Sequence, residues 1–203
     1  MEALYLAVAL AVSYLIGSIP TSYLVCRTIK GIDLREHGSG NLGATNLYRV
    51  LGWRFAVPVG VFDMIKGFVP TAFIGPAVSD GALIPLVCGA MAVLGHMFSP
   101  FIGFRGGKGA ATGAGIIAAL APLAFVAVVG LWAVLVYLTG YVSLATIVAA
   151  ASFPMLAQLL STGRNDNLWL EVALAALVIW MHRANIGRLL RGTESRFRRR
   201  EGP

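Results

Sequence analysis

Charge is scarce in this chain. Only 12% of its 203 residues are Asp, Glu, Lys or Arg, while 58% are hydrophobic; a soluble domain carries roughly a quarter charged residues. Acidic groups are the scarcest, nine against sixteen Lys and Arg, with three histidines and two cysteines. The shortage of charge excludes an ordinary water-soluble domain. No Asp, Glu and His cluster at metal-ligand spacing, so neither a catalytic metal nor another cofactor is expected. Cys26 and Cys88 lie in apolar runs and read as small core residues rather than a disulfide or metal pair. No large repeat or low-complexity stretch is present, and the length suits one domain over residues 1–203.

Long apolar runs take the place of charge. An apolar helix of about 20 residues crosses the hydrocarbon core. Residues 3–26, 55–78 and 82–104 each fit one crossing, and the first reads as an uncleaved span because Glu2 makes a poor leader. Residues 110–181 are nearly continuous apolar sequence, with breaks expected at Ala121–Pro122, at Thr139–Gly140 and over 161–167. Basic residues near span ends mark the cytoplasmic side. That rule puts both the Arg105/Lys108 loop and the Arg-rich tail inside, so an even number of crossings separates them. Four short ones fit, over about 110–121, 123–138, 141–161 and 168–184. The expectation is an all-α, polytopic transmembrane bundle of about seven spans, N-terminus outside and C-terminus cytoplasmic; five spans keep the same parity. The basic groups flank spans rather than lining one soluble face, so the net charge of +7 does not point to nucleic acid.

On this topology three polar segments share the cytoplasmic face. Residues 38–49 hold Ser39, Gly40, Asn41, Thr45, Asn46 and Arg49. Their glycines favour an anion-binding turn, the amides and hydroxyls add neutral hydrogen bonds, and Arg49 adds a planar fork suited to phosphate. Residues 103–112 hold Gly106, Gly107, Lys108, Gly109 and Thr112. A glycine-rich turn opening a helix offers free N–H groups and the positive end of a dipole. Residues 182–194 hold His182, Asn185, Arg188 and Glu194; in a helix the first three fall near one stripe. The run 198–200 reads as a contact for anionic lipid headgroups. Asp63 and Lys66 lie three apart inside a span and read as an ion pair, and His96 as a buried hydrogen-bonded residue.

The runs S-G-N-x-G-A-T-N-x-x-R from Ser39, G-G-K-G-x-A-T from Gly106 and H-x-x-N-I-x-R-L-L-x-G-x-E from His182 resemble the PlsY family of bacterial acyl-phosphate:glycerol-3-phosphate acyltransferases over essentially the whole chain. The resemblance implies a bacterial inner-membrane enzyme with a cytoplasm-facing site. It would transfer a fatty acyl group from acyl phosphate to the 1-hydroxyl of glycerol 3-phosphate, giving lysophosphatidic acid and phosphate, in functional coupling with an enzyme that forms acyl phosphate. It implies catalytic roles for Ser39, Arg49, Lys108, His182 and Asn185, a glycerol phosphate site at residues 106–109, and structural integrity for Glu194. Gly40, Asn41, Thr45, Asn46, Thr112 and Arg188 are taken as further substrate-binding positions.

Other functions fit less well. The fifth residues after His37, His96 and His182 are Leu42, Phe101 and Gly187, so the His–Asp dyad of the other glycerolipid acyltransferases is absent. The alternative, a transporter of a phosphorylated metabolite, would place polar groups toward the midplane and carry repeated halves.

Overall fold

Proline and glycine punctuate the chain, and half of the described α-helices begin or end on them. The computed structural model describes residues 1–160 and 168–197; the expected break over 161–167 and the 198–200 run lie outside the described residues. Ten α-helices account for the described fold: α1 Glu2–Ser18, α2 Thr21–Lys30, α3 Ala44–Leu51, α4 Trp53–Val69, α5 Leu83–Met97, α6 Ala110–Leu120, α7 Pro122–Thr139, α8 Val142–Leu160, α9 Leu168–Met181 and α10 Arg183–Leu190. The expected break at Ala121–Pro122 separates α6 from α7. Gly140, left-handed at φ 74°, ends α7. The 3–26 stretch is not one unbroken helix: Pro20 lacks an N–H, and α1 stops before it. Cys26 and Cys88 are free and buried.

Among the described residues, five helical stretches are long and apolar enough to cross a bilayer: Glu2–Lys30, Trp53–Ile74, Leu83–Ile102, Pro122–Thr139 and Val142–Leu160. The pair Leu168–Met181 and Arg183–Leu190, bent by 57°, would add a sixth as one broken span. With 11 residues, α6 is about 16 Å long, roughly half the hydrocarbon core.

The chain forms two compact units, Met1–Leu120 and Ala121–Pro203. In the first, α1 lies along α5, α4 lies along α6, and α3 packs on α4. Beneath its polar loops Cys26, Leu34, Leu42, Leu47, Val59 and Ile102 form a small core. In the second, α8 packs between α7 and α9, and α10 touches α8 and α9.

Lipid supplies no hydrophobic drive between helices, so close contact depends on small residues. At Gly115 a Cβ would lie 1.9 Å from the Met64 carbonyl oxygen of α4, whereas at Gly130 on α7 it would meet nothing within 4 Å. Gly115→Ala should therefore separate α4 from α6 at a cost of about 1–3 kcal/mol. Gly130→Ala should be neutral or stabilise by up to about 1 kcal/mol. Thermal unfolding of the detergent-solubilised variants should shift in opposite directions; equal shifts would contradict this packing.

Candidate active site

In the first unit, the segment between α2 and α3 is polar at its tip and apolar at its roots. Leu34, Leu42 and Leu47 pin it to the core. Asp33 caps the short turn Leu34–Glu36 by accepting from the Arg35 N–H at 2.9 Å. The Arg35 side chain donates back to Asp33, with Nη2–Oδ2 at 2.6 Å. That bond holds the Asp33 carboxyl below its usual range. Arg35 also donates Nη1 to the Ile102 carbonyl at 3.2 Å, joining this loop to the one after α5.

Asn46 is 1% exposed. Its Nδ2 donates to the carbonyls of His37 (2.9 Å) and Leu34 (3.4 Å), and its Oδ1 accepts from the Ser39 N–H at 2.8 Å. The amide is engaged by the loop itself, which makes Asn46 the residue that holds Ser39. Gly38 makes this approach by taking φ +62°; a Cβ there would sit 2.2 Å from Asn46 Oδ1. Ser39 is left exposed at the tip, Gly40, Asn41 and Thr45 are half-buried, and Arg49 is exposed on α3.

After α5 the chain doubles back on the end of that helix. Ser99 donates Oγ to the Ser18 carbonyl at 2.6 Å, and Tyr14 donates its hydroxyl to the Phe98 carbonyl at 2.5 Å. The N–H groups of Gly106 and Gly107 donate to the carbonyls of Met97 (2.9 Å) and His96 (3.0 Å). Of the free N–H groups expected at this helix-opening turn, these two are not available: they are spent on α5. The amides without an intrahelical partner are those of the first turn of α6, which Lys108 and Gly109 precede. Lys108 is half-buried and Gly109 buried. Thr112 is fully buried where α6 meets Gly67 of α4, its Cγ2 3.2 Å from where a Gly67 Cβ would be.

Asp63, Lys66 and His96 form one buried group. Lys66 Nζ lies 2.6 Å from Asp63 Oδ1, with both side chains 2% exposed. Nζ also donates to the Ile19 carbonyl at 2.7 Å and lies 3.4 Å from His96 Nδ1. An ammonium at the carbonyl end of α1 complements the helix dipole, and it supplies a donor at the break that Pro20 makes. The expected ion pair and the expected buried histidine are therefore parts of one network.

In the second unit, the bend between α9 and α10 falls at His182. His182 is 5% exposed and its Nδ1 lies 2.8 Å from the Val178 carbonyl. A carbonyl only accepts, so Nδ1 carries the proton and Nε2 is the basic nitrogen of the neutral ring. Three residues on, Asn185 donates Nδ2 to Glu194 Oε1 at 2.6 Å. Ser143 Oγ donates to the same oxygen at 2.7 Å, and Arg188 Nε donates to Oε2 at 2.6 Å. Burial raises the Glu194 pKa, but the bonds from Ser143, Asn185 and Arg188 outweigh it and hold the carboxyl below its ordinary value. Ser143, on α8, is a member of this Glu194 cluster that sequence reasoning missed. Further along, Phe197 donates its N–H to the Gly140 carbonyl at 2.6 Å, fastening the segment after Glu194 to the α7–α8 turn.

The predicted residues thus gather in two groups. Ser39, Gly40, Asn41, Thr45, Asn46 and Arg49 share one loop and helix, tied through Arg35 to the loop that carries Gly106, Gly107, Lys108 and Gly109. Asn185 and Arg188 bond Glu194, and His182 stands three residues before Asn185 at the start of α10. Among the described residues no three His, Cys, Asp or Glu side chains are placed to hold a metal ion.

Comparison with known proteins adds a family. The profile described as Glycerol-3-phosphate acyltransferase matches residues 7–192. A glycerol-3-phosphate acyltransferase of Desulforudis audaxviator (strain MP104C) is 46% identical over 199 residues, covering 97% of this chain and 98% of its own. One from Chlorobium phaeobacteroides (strain BS1) is 40% identical, covering 95% and 97%. Among solved structures, the glycerol 3-phosphate form of PlsY (YgiH), an integral membrane glycerol 3-phosphate acyltransferase, superposes with a TM-score of 0.87 at 37% identity, covering 95% of this chain and 96% of that one. Its lysophosphatidic acid form gives 0.85 at 35% identity, covering 94% of each chain. An all-helical, multi-pass membrane protein with these motifs and these relatives belongs to the glycerol-3-phosphate acyltransferase family.

Proposed function

We propose that this chain, as one acyltransferase domain, transfers a fatty acyl group from acyl phosphate to the 1-hydroxyl of sn-glycerol 3-phosphate. The products are lysophosphatidic acid and inorganic phosphate, at the first acylation of bacterial phospholipid synthesis. The observation that carries this reading is the segment 182–194. Glu194 fixes the Asn185 amide and the Arg188 guanidinium, and the Val178 bond sets the basic nitrogen of His182, three residues before Asn185 on the same short helical stretch.

Acyl phosphate is a mixed anhydride, so its phosphate already leaves readily. The hydroxyl oxygen of glycerol 3-phosphate attacks the acyl carbon, the bond from that carbon to the phosphate oxygen breaks, and the hydroxyl proton passes to His182 Nε2. Arg49, Lys108 and the first-turn amides of α6 hold the two anionic headgroups and the charge that develops between them. Ser39 and Asn185 act as hydrogen-bonding groups rather than nucleophiles. Gly40, Asn41, Thr45 and Arg188 complete the substrate-binding positions; Asn46 acts through Ser39, Gly106, Gly107, Gly109 and Thr112 act by shaping and seating the glycine turn, and Glu194 keeps the cluster intact. The acyl chain stays with the lipid phase, and an enzyme that forms acyl phosphate supplies the donor.

The purified protein in lipid, given acyl phosphate and glycerol 3-phosphate, should release phosphate only when both are present. Release with neither requirement, or none at all, would sink the reading. An acyl-thioester donor used equally well would overturn the donor assignment alone.

The enzyme is proposed to sit in the bacterial inner membrane with its site toward the cytoplasm. Seven crossings run from an outside N-terminus to an inside C-terminus, the short α6 being sheltered against α4. Asp80 and Phe104 are both exposed at opposite ends of α5. An impermeant maleimide should label Asp80→Cys on intact cells whose outer barrier is opened, and Phe104→Cys only after the inner membrane is breached. The reverse pattern would invert the topology.

A further inference from the structure

The His96 ring sits under the glycine turn with one nitrogen used and one not. Its Nδ1 faces Lys66 Nζ at 3.4 Å. An ammonium only donates, so Nδ1 accepts and the proton of the neutral ring lies on Nε2. The carboxylate of Asp63, 3.8 Å from Nδ1, is too far to reverse this. Nε2 lies against Gly107: a Cβ there would fall 2.1 Å from it. Only glycine at 107 lets the turn come this close to the Nε2 edge of the ring. The side chain is 8% exposed, yet among the described residues nothing accepts from Nε2. The atom is not itself fully buried, so this donor opens at the turn, where a group without a protein partner is available to a ligand.

The surroundings indicate what kind. Lys66 is held by Asp63 and by the Ile19 carbonyl, so the base of the ring is fixed. Its free edge meets the turn that leads through Lys108 into the N-terminus of α6. The charged groups that turn adds are Lys108 and the helix N-terminus, both of which favour an anion with several acceptor oxygens. We infer that His96 is a further substrate-binding residue, donating Nε2–H to the phosphate monoester held at the glycine turn between α5 and α6. This rests on the reading that the turn binds glycerol 3-phosphate. It gives the otherwise unassigned Asp63–Lys66 pair a purpose, namely to keep the His96 proton on the nitrogen that faces the ligand.

The test is binding rather than turnover. Full-length protein in nanodiscs, with ¹⁵N-labelled histidine, is titrated separately with glycerol 3-phosphate, inorganic phosphate and glycerol. The His96 resonances are assigned by their loss in His96→Gln. Before ligand, His96 should show the Nε2–H tautomer. Both phosphates should move the Nε2 signal and its proton downfield, saturating with the binding isotherm, and glycerol should not. If His96 is unmoved while glycerol 3-phosphate binds, the inference fails and the functional reading stands. If the wild type binds no glycerol 3-phosphate, the functional reading fails. Variants give an independent arm. His96→Gln keeps a donor near Nε2 and should hold affinity within about threefold. His96→Asn keeps only the atom at the Nδ1 position and should lose about tenfold or more. Equal affinity of the two variants would overturn the contact. Where His96→Asn does not fold, the wild-type titration decides.

Discussion

Glu194→Ala should lose most activity and much stability together. The carboxylate receives Ser143, Asn185 and Arg188, and only Arg188, 36% exposed at the side chain, can turn to water. Ser143 and Asn185 are 7% and 6% exposed, so their donors would be stranded. Removing one partner of a buried pair costs about 3–5 kcal/mol, and the exposure of Arg188 points to the low end of that range. Turnover should fall by about a hundredfold or more, because a displacement of about 1 Å in a positioned group costs that much and Asn185 would lose its anchor. Glu194→Gln is the sharper variant. It keeps the shape but sets an NH₂ against at least one of the three donors, and should also lose both properties. If either protein unfolds at the wild-type temperature, Glu194 is not the hub of this unit.

The same carboxylate predicts a pH dependence. Its folded pKa lies below its ordinary value, so the folded state binds this proton less readily than the unfolded chain does. Its contribution is fully present above the unfolded carboxylate range of about pH 4.3. It is lost as pH falls through that range toward the folded pKa. The unfolding temperature of the wild type should therefore drop with acid in this interval, and that of Glu194→Gln should drop less.

The helical stretches and breaks were legible in the sequence because hydropathy, proline and glycine act locally. Ala121–Pro122 and Thr139–Gly140 mark boundaries whatever the rest of the chain does. The Asp63–Lys66 pair was legible for the same reason, being a helical i,i+3 spacing. The resemblance carried the motif residues, including Glu194 as a structural position. Contacts between side chains and distant backbone were not legible. Nothing in a local pattern says that the glycine turn folds back to bond Met97 and His96, so two of the amides expected to be free at this helix-opening turn are taken up by α5. Asn46 was read as a polar group for a ligand, while its amide is taken up by Leu34, His37 and Ser39. Ser143 is 51 residues from Glu194, and a lone serine in an apolar helix gives no sign of its acceptor. The first span looked continuous because its composition is uniform; Pro20 divides it, and the carbonyl beside that break is what Lys66 reaches.

Replacing His182 by Asn should lower kcat by about 10²–10⁴-fold while leaving the fold intact. The Asn amide nitrogen occupies the topological place of Nδ1 and can keep the bond to the Val178 carbonyl, so the bend between α9 and α10 is preserved. What it lacks is Nε2, the nitrogen that the Val178 bond makes basic. KM for glycerol 3-phosphate should move far less than kcat, because the loss falls on proton transfer in the transition state. Thermal unfolding should stay near wild type, unlike that of the Glu194 variants. Two outcomes would redirect the mechanism. Turnover within about tenfold of wild type at saturating substrate would remove His182 as the base and leave the proton to the departing phosphate. An acyl group trapped on Ser39 of His182→Asn would replace direct transfer with a covalent route, since Ser39 would then form an ester that water or glycerol 3-phosphate must later break. With neither outcome, direct transfer with His182 as base stands as the proposed route, and Ser39 serves it only as an exposed hydroxyl on the loop that Asn46 holds.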